Sequence, residues 1–559
     1  MKIIAPYRFV NLHEKVFYPK DEEISFDVPY KDEQSGVIDI KIIAKSPIFV
    51  GDKKSEDDKE VKFFKIDEKF CIPSSSIRGV VRTLAEVLSF AKLKTQDLRL
   101  SYRDLNNPSY EEKAMDQNKI FKGWLYKKAN LWYIEDLGKV KQNTDRILYF
   151  SKKGDFDLKA HFGENIARKI QKSKTAHDKY SLIKNRENLL THKGHIVFTG
   201  TTGRKTREFL FPNQSGVSYE LSKEVIKTFK QAYYIDTINE SLDWRYWSDK
   251  FEHGEKIPVF FQKDSTGNIM HFGLSMLYKL PYEKSTLDLL KQTQINYDDD
   301  KLDMVERIFG YVKKDEALKS RVNFSNFYTH NAKELQPISL TLSSPRPTFY
   351  PYYILQGNDT CFTYDDANAK LSGFKFYVPK NNMYQKNNKE NPKIDTKIQA
   401  LDKGAVFEGK MRYFNLTPQE LGLLLLTLSV FDSQEYYYKI GGAKAFGYGD
   451  CHIQINFDNE KLNTFISQYK QLLQENGFDI QKQIEKLKSI AKKMPNDVEL
   501  KYLELKDFAN IKKQMREKCK NKPSQKNFNH KPKKSYDKYS TQSKDEPNNP
   551  FGNLKQLLF

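Results

Sequence analysis

Two short phrases carry residue types and spacings suited to holding phosphate. In Ile72-Pro73-Ser74-Ser75-Ser76-Ile77-Arg78-Gly79, three hydroxyls stand at the start of an apolar pattern of helical period. A serine N-cap, open backbone N–H groups and the positive end of a helix macrodipole would meet there, and Arg78 and Arg82, four residues apart, would add charge. Ser74, Ser75, Ser76 and the two arginines are therefore candidate ligands for phosphodiester oxygens. A ligand-free reading stands beside it, in which a serine caps the helix and Arg82 pairs with Glu86. In Gly441-Gly442-Ala443-Lys444-Ala445-Phe446-Gly447-Tyr448-Gly449, glycine would let the backbone approach a ligand and aim several N–H groups into one concavity. Gly441, Gly442 and Gly447 supply that freedom, Lys444 the charge, and Phe446 or Tyr448 a face for a base. No Gly-Lys-Ser or Gly-Lys-Thr closes the loop, and it does not open a helix after a strand, which excludes a Walker A loop and a dinucleotide fingerprint. A tight turn without a ligand is the other reading of these glycines.

The elements that must position these phrases are legible around them. Ile77, Val80, Val81, Leu84, Val87 and Leu88 recur at helical spacing, and Val37 to Ile43 reads as a strand ahead of them. Phe407 to Phe414 is a second strand, and Thr417-Pro418-Gln419-Glu420 is a capping box with proline at the first helical position, opening a buried helix through Phe431. The glycine loop then runs into the alternating strand Cys451 to Ile455, so a β-α-loop-β unit closes this part. Between the two regions, Leu100 to His195 reads as strands with long insertions and one hairpin, Gly123 to Tyr126 with Leu131 to Ile134. Short aromatic strands follow at His195 to Gly200, Arg207 to Pro212, Ile257 to Phe261 and His271 to Tyr282. Glu460 to about Ile511 is helical and amphipathic. Lys512 to Glu546 holds 12 Lys or Arg against 4 Asp or Glu with almost no aliphatic residues, the composition of a disordered basic tail, before an apolar terminal motif over Asn549 to Phe559.

The whole chain has 559 residues, a formal net charge of +20, and 38% hydrophobic residues. That length calls for more than one folded unit, that apolar content supports packed cores, and that charge draws polyanions, nucleic acid first. Cys71, Cys361, Cys451 and Cys519 form no CxxC pair, which argues against a disulfide framework or a zinc ribbon and fits a reducing cytoplasm. The longest apolar run, Leu421 to Leu428, is too short to span a bilayer, and the first ten residues carry Lys2, Pro6 and Arg8 in place of an apolar leader. A cytoplasmic protein without a membrane partner is expected.

Ile72-Pro-Ser-Ser-Ser-Ile-Arg-Gly-Val-Val-Arg resembles the IPGSSLKGxxR signature of the RAMP superfamily of CRISPR-associated proteins, and Gly441 to Gly449 resembles that superfamily's C-terminal glycine-rich loop. Pro6-Tyr-Arg-Phe-Val, Ser46-Pro-Ile-Phe-Val-Gly, Phe309-Gly-Tyr-Val, Arg321-Val-Asn-Phe-Ser, Ser343-Ser-Pro-Arg-Pro-Thr-Phe-Tyr-Pro and Asn415-Leu-Thr-Pro-Gln-Glu-Leu-Gly are similar to a subfamily of long, single-chain, two-domain members of type III-like systems. The resemblance spans roughly residues 5 to 455. Ser74 departs from the glycine usual in the signature, and Ala445 stands near a position that is often serine or proline. The resemblance implies an α+β protein with two ferredoxin-like (RRM-like) RAMP domains bearing insertions, a helical C-terminal segment and a disordered basic tail. On this reading the chain comprises an extended arm (1–36), a first RAMP domain with insertions (37–212) and a β-rich middle region (213–400). A C-terminal RAMP unit (401–459), the helical segment (460–511) and the tail (512–559) complete it.

The resemblance also implies binding of CRISPR RNA along its backbone, as a subunit of an effector ribonucleoprotein in antiviral defence, with other effector subunits and complementary target RNA as partners. Related backbone subunits cut bound target RNA with an aspartate on the loop before the serine phrase. Asp52, Asp57 and Asp58 occupy that loop, Asp58 foremost, and Mg²⁺ would be the cofactor of such an endoribonuclease. A solvated charged loop is the alternative for the same residues. Two other functions compete: a metal-independent crRNA-processing ribonuclease using one of His195, His271, His330 or His452 as general base, and a non-catalytic interaction subunit. Asp298 to Asp300 with Asp303 reads as a helix N-cap cluster, and Arg204, Lys205 and Arg207 as a basic turn that either meets phosphate or is solvated.

Overall fold

The computed structural model describes residues 2–20, 24–52, 60–102, 119–141, 145–150, 156–200, 205–233, 241–313, 316–342, 347, 350–356, 362–380, 395–495, 498–500 and 502. The chain divides into two compact units, Met1–Thr95 with Asp288–Phe559, and the intervening Gln96–Leu287.

The first unit is built on an eight-stranded sheet. In chain order its main elements are β1 (Gln34–Ala44), β2 (Lys69–Ile72), α1 (Ser74–Leu88), β3 (Val322–Phe324), β4 (Phe327–Tyr328), β5 (Val406–Leu416), α2 (Pro418–Ser429), β6 (Tyr438–Lys439), β7 (Asp450–Asn456), α3 (Asn459–Glu475) and α4 (Ile480–Ala491). In space the strands run β6, β7, β1, β5, β4, β2, with Lys65–Ile66 beyond β2 and β3 also paired to β5. β7, β1, β5 and the β3 and β4 pair thus stand in the fourth, first, third, second order of a β-α-β-β-α-β ferredoxin-like unit, all antiparallel. The α+β class expected from the sequence is what the chain adopts. The two β-α units read at distant places in the chain share one sheet, because β1 lies between β5 and β7.

The residue pattern of β1 explains its central place. Ile38, Ile40 and Ile42 are buried, while Asp39 and Lys41 face out and pair across the sheet with Lys410 at 3.2 Å and Glu408 at 3.0 Å. α1 lays Ile77, Val81, Leu84 and Leu88 on the same core. α2 is buried on nearly every side because α3 covers it, and Gly422 permits that approach: a Cβ there would stand 2.2 Å from the Phe465 carbonyl oxygen. Tyr469 of α3 closes the layer by donating to the Leu88 carbonyl at 2.8 Å. Of the helix expected from Glu460 to about Ile511, α3 and α4 form, separated at Gly477, whose φ is +80°, but helix ends at Ala491 and Val498–Leu500 is a strand. The expected N-terminal arm is partly strand. Lys2–Ile4 runs parallel to Val498–Leu500, and Tyr7–Val10 runs antiparallel to Phe374–Tyr377.

The second unit holds an antiparallel five-stranded sheet in the order Val217–Glu220, Leu131–Lys139, Phe121–Lys128, Ile257–Lys263, Ile269–Gly273. The expected hairpin is its centre. Helices Lys223–Tyr233 and Leu242–Glu252 contribute Phe229, Trp244 and Phe251 to an aromatic core around Trp132. A four-stranded sheet runs Leu190–Thr191, Gly194–Val197, Arg207–Phe211, Arg146–Leu148. The expected boundary at residue 212 lies inside this unit, since Arg207–Phe211 and Val217–Glu220 both pair back onto earlier strands. Short helices at Leu158–Phe162, Glu164–Lys172 and Ala176–Ser181 stand where the sequence reads only as strands with insertions; Asp157 and Thr175 cap two of them. Their buried apolar residues are too few to set a readable period: Leu158, Ala167 and Ile170. Residues 512–559, expected as a basic tail, lie outside the described residues. No helix among the described residues is long and apolar enough to cross a membrane.

Candidate nucleic-acid interface

Ser74, Ser75 and Ser76 form the first turn of α1, and Pro73 occupies the N-cap position. The expected serine cap is therefore corrected by one residue. Pro73 has the extended backbone proline favours, φ −56° and ψ 143°, which leaves the serines inside the helix with no hydroxyl capping it. The Ser74 amide instead donates to Asn326 Oδ1 at 2.9 Å, and the Ser76 amide to the Pro73 carbonyl at 2.9 Å. Ser75 is exposed, with Ser74 and Ser76 half-buried. Arg78 donates to the Phe309 carbonyl at 2.6 Å and lies over that ring. Arg82 makes the ion pair with Glu86 that the ligand-free reading anticipates, Nε to Oε1 at 3.0 Å.

The glycine loop is shaped by packing. Gly441 has φ +90°, and a Cβ there would stand 2.2 Å from the Phe49 carbonyl oxygen. Gly442 donates to that same oxygen at 2.7 Å, Gly449 to the Pro47 carbonyl at 2.8 Å, and Gly447 to the Lys444 carbonyl at 3.3 Å. The amides of Gly442, Gly447 and Gly449 are thus taken by the protein's own carbonyls. Tyr448 is buried, which removes it as a stacking face, and Phe446 packs in a small apolar cluster with Phe49, Leu340 and Ile398. Buried Gly447, with φ +92°, ends the one-turn helix Lys444–Phe446.

The two phrases meet all the same, through side chains. A cleft of about 430 Å³ in the first unit is lined by Ser75, Ser76 and Gly79 of α1 and by Lys439 and Lys444 on either side of the first loop glycines. Lys375, Tyr377 and Tyr437 also line it, with Leu487 and Ile490 of α4 as apolar surface. Among the described residues none that lines it is acidic. Burial, with the neighbouring Lys439 charge, pushes the Lys444 amine down to about 8. Burial alone brings Lys375 to about 8; its amine lies 3.9 Å from the Tyr7 ring centroid and donates to the Tyr353 hydroxyl at 3.1 Å. Lys439 is ion-paired with buried Asp450, and burial lowers its pKa as well. Lys375 and Lys444 therefore hold the cleft's uncompensated charge. An anion entering beside the Ser75 and Ser76 hydroxyls, near the positive end of α1, would meet both amines and would raise their pKa values. Sequence reading missed Lys375 and Lys439. Each sits next to aromatic residues in a short strand, Phe374-Lys375-Phe376-Tyr377 and Tyr437-Tyr438-Lys439, and that interleaving is the signal that could have found them.

The other candidates are dispersed. Asp52 is exposed and its amide donates to the Lys62 carbonyl at 3.0 Å, while Asp57 and Asp58 lie outside the described residues. Among the described residues no group of three or more His, Cys, Asp or Glu could hold a metal ion. His195 lies edge-on to Trp124, His271 hydrogen-bonds Gln262 at 2.7 Å, His452 stacks on Tyr437, and His330 is exposed. In the basic turn, Lys205 is half-buried and paired with Glu208 at 2.6 Å, which Lys179 also meets at 2.7 Å. Asp303 makes the expected N-cap, in a capping box with Glu306.

A family model described as the RAMP superfamily matches residues 41–250 and 277–452. No curated protein matches the chain. Among solved structures, Csc2 of Thermofilum pendens is 14% identical with a TM-score of 0.14, over 39% of this chain and 59% of that one, so the chain spans less than two thirds of its length. A chain of a CRISPR RNA-guided surveillance complex, pre-nicking, is 10% identical with a TM-score of 0.22, over 86% of this chain and 100% of that one. A chain of the Type III-B Cmr-beta complex bound to cognate target RNA is 8% identical with a TM-score of 0.18, over 75% and 97%.

Proposed function

The chain belongs to the RAMP superfamily, and on that footing we propose that it is a CRISPR-associated RNA-binding subunit that holds the backbone of a CRISPR RNA in the cleft beside α1. The observation that carries this reading is that Ser75, Ser76 and Lys444, from the two phrases, line one acid-free cleft together with Lys375. Hydroxyls and amines of this kind bind phosphate without reading bases, which leaves target sequence to base pairing with the guide. The chain's net charge of +20 supplies the longer-range attraction. On this reading the partners are the CRISPR RNA, other subunits of an effector ribonucleoprotein, and complementary target RNA.

The test is filter binding of single-stranded RNA over a salt series. Affinity is expected to fall linearly on a log–log plot, and the double variant Lys375→Ala with Lys444→Ala to lose about ten-fold or more and to flatten the slope. A salt-insensitive affinity would refute the reading and point to a role confined to protein contacts, and a double variant that binds as the parent does would refute this cleft as the RNA site.

A further inference from the structure

The second compact unit contains a larger cavity, about 1000 Å³, outside everything described so far. Arg146 and Arg207 enter it from neighbouring antiparallel strands. Phe209 is paired directly with Arg146 and Arg207 with Leu148, so Arg146, Arg207 and Phe209 share one sheet face, and all three line the cavity. Among the described residues the buried Arg146 Nε has no hydrogen-bond partner, and one of its terminal nitrogens donates to the Met276 sulfur at 3.4 Å. Burial and the Arg207 charge both hold the Arg146 pKa below its ordinary value. The remaining charges are arranged differently. Lys205 is engaged with Glu208, Lys279 donates to the Ala232 carbonyl at 2.9 Å, and Lys174 is exposed. Asp178, exposed on the first turn of Ala176–Ser181, is the one acidic residue among the described residues of the lining.

A half-buried guanidinium, Arg146, that feels the charge of an exposed one, Arg207, is repelled by it, and an anion between them relieves that repulsion while filling their donors. The same cavity carries aromatic rings. Exposed His177 lies stacked on Tyr246, centroids 4.8 Å apart and rings 21° from parallel, and Trp247 stands edge-on to Tyr246 at 4.8 Å. Both Tyr246 and Trp247 line the same cavity. A charged end and a flat aromatic end match the two halves of a nucleotide.

We propose that this cavity binds one nucleotide, its phosphate held by Arg146 and Arg207 and its base stacked on His177 and Tyr246. The nucleotide is either a residue of a single RNA strand or a free mononucleotide, and the site is separate from the cleft beside α1.

The test photo-crosslinks the full chain with 8-azido-AMP or with a short oligoadenylate carrying 8-azidoadenosine, and maps the labelled peptides. Label is expected within residues 174–178 or 246–247. Arg207→Glu is expected to weaken labelling at least about ten-fold and His177→Ala about three-fold or more; both residues are exposed, so neither change disturbs a core. Labelling by 8-azido-AMP that AMP competes away identifies the free nucleotide, whereas labelling only by the oligonucleotide identifies the strand. Label mapping elsewhere, label unchanged in both variants, or inorganic phosphate competing as well as AMP would overturn the proposal. Because the readout is the labelled peptide, failure here is distinct from failure of RNA binding beside α1.

Discussion

Lys444 is held by the fold in a place where its charge is poorly solvated, and this couples function to stability in opposite directions. Its folded pKa of about 8 lies below the ordinary lysine value of 10.5. Between those values the unfolded chain binds the proton and the folded chain does not, so the destabilisation is complete below the folded pKa and disappears as pH rises past the unfolded one. Lys444→Met should therefore melt at a higher temperature than the parent at neutral pH, with the advantage vanishing in melts above the lysine range. On the proposed reading RNA is held by the protonated amines of Lys444 and Lys375, both near 8, so affinity should fall as pH rises through that value. Lys444→Arg, which stays charged, should keep more of its affinity on the alkaline side in the same titration. The type and spacing of Lys444 are readable in its glycine phrase. Its depressed pKa is not, because burial depends on α4 and on the strand carrying Lys375, both remote in sequence.

Among the elements, α1 and the glycine loop use glycine for opposite reasons. A Cβ added at Gly79 meets nothing within 4 Å, and the position lies inside a helix, so Gly79→Ala should stabilise the protein by about 0.5–1 kcal/mol in urea unfolding. Gly79 also lines the cleft, and Gly79→Glu should depress RNA affinity by placing a carboxylate where none stands. Gly441 has no such freedom. With φ +90° and the Phe49 carbonyl in the way, Gly441→Ala should lower stability by about 1–3 kcal/mol. At α2, Glu420 completes the capping box with Thr417 and also accepts from Arg321, both carboxylate and guanidinium being almost wholly buried. Glu420→Leu should cost about 3–5 kcal/mol, since it leaves the Arg321 charge buried without its carboxylate. The capping box was legible from four consecutive residues. The arginine that answers it was not, since Arg321 reaches α2 only through the sheet.

For the whole molecule, the first unit needs chain from both sides of the second. β1 and α1 precede the intervening unit, β5, α2 and β7 follow it, and β1 bonds to β5 and β7 at once. Pairing across so long a loop forms slowly, because closure entropy is met before the contacts reward it. The basic segment beyond residue 511, with a net charge of +9, would contribute in another way on the proposed reading. Removal of residues 512–559 should leave the melting temperature within about a degree, since Lys512 to Glu546 has almost no aliphatic residues with which to build a core, while reducing RNA affinity most at low salt. Binding isotherms at two salt concentrations beside a melt check both halves of that expectation. By itself the sequence determined the central strand Val37 to Ile43, the apolar face of α1, the capped α2 and the phrases that mark the family, because each depends on residues within about a dozen positions of one another, and through those phrases it implied the α+β class. Only the tertiary structure decided that the distant β-α units share a sheet, that the loop amides turn to Pro47 and Phe49, and that Lys375 and Lys444 meet the serines in one cleft. Those outcomes follow from which strand edge pairs with which and from what is left in water, and no local pattern encodes either.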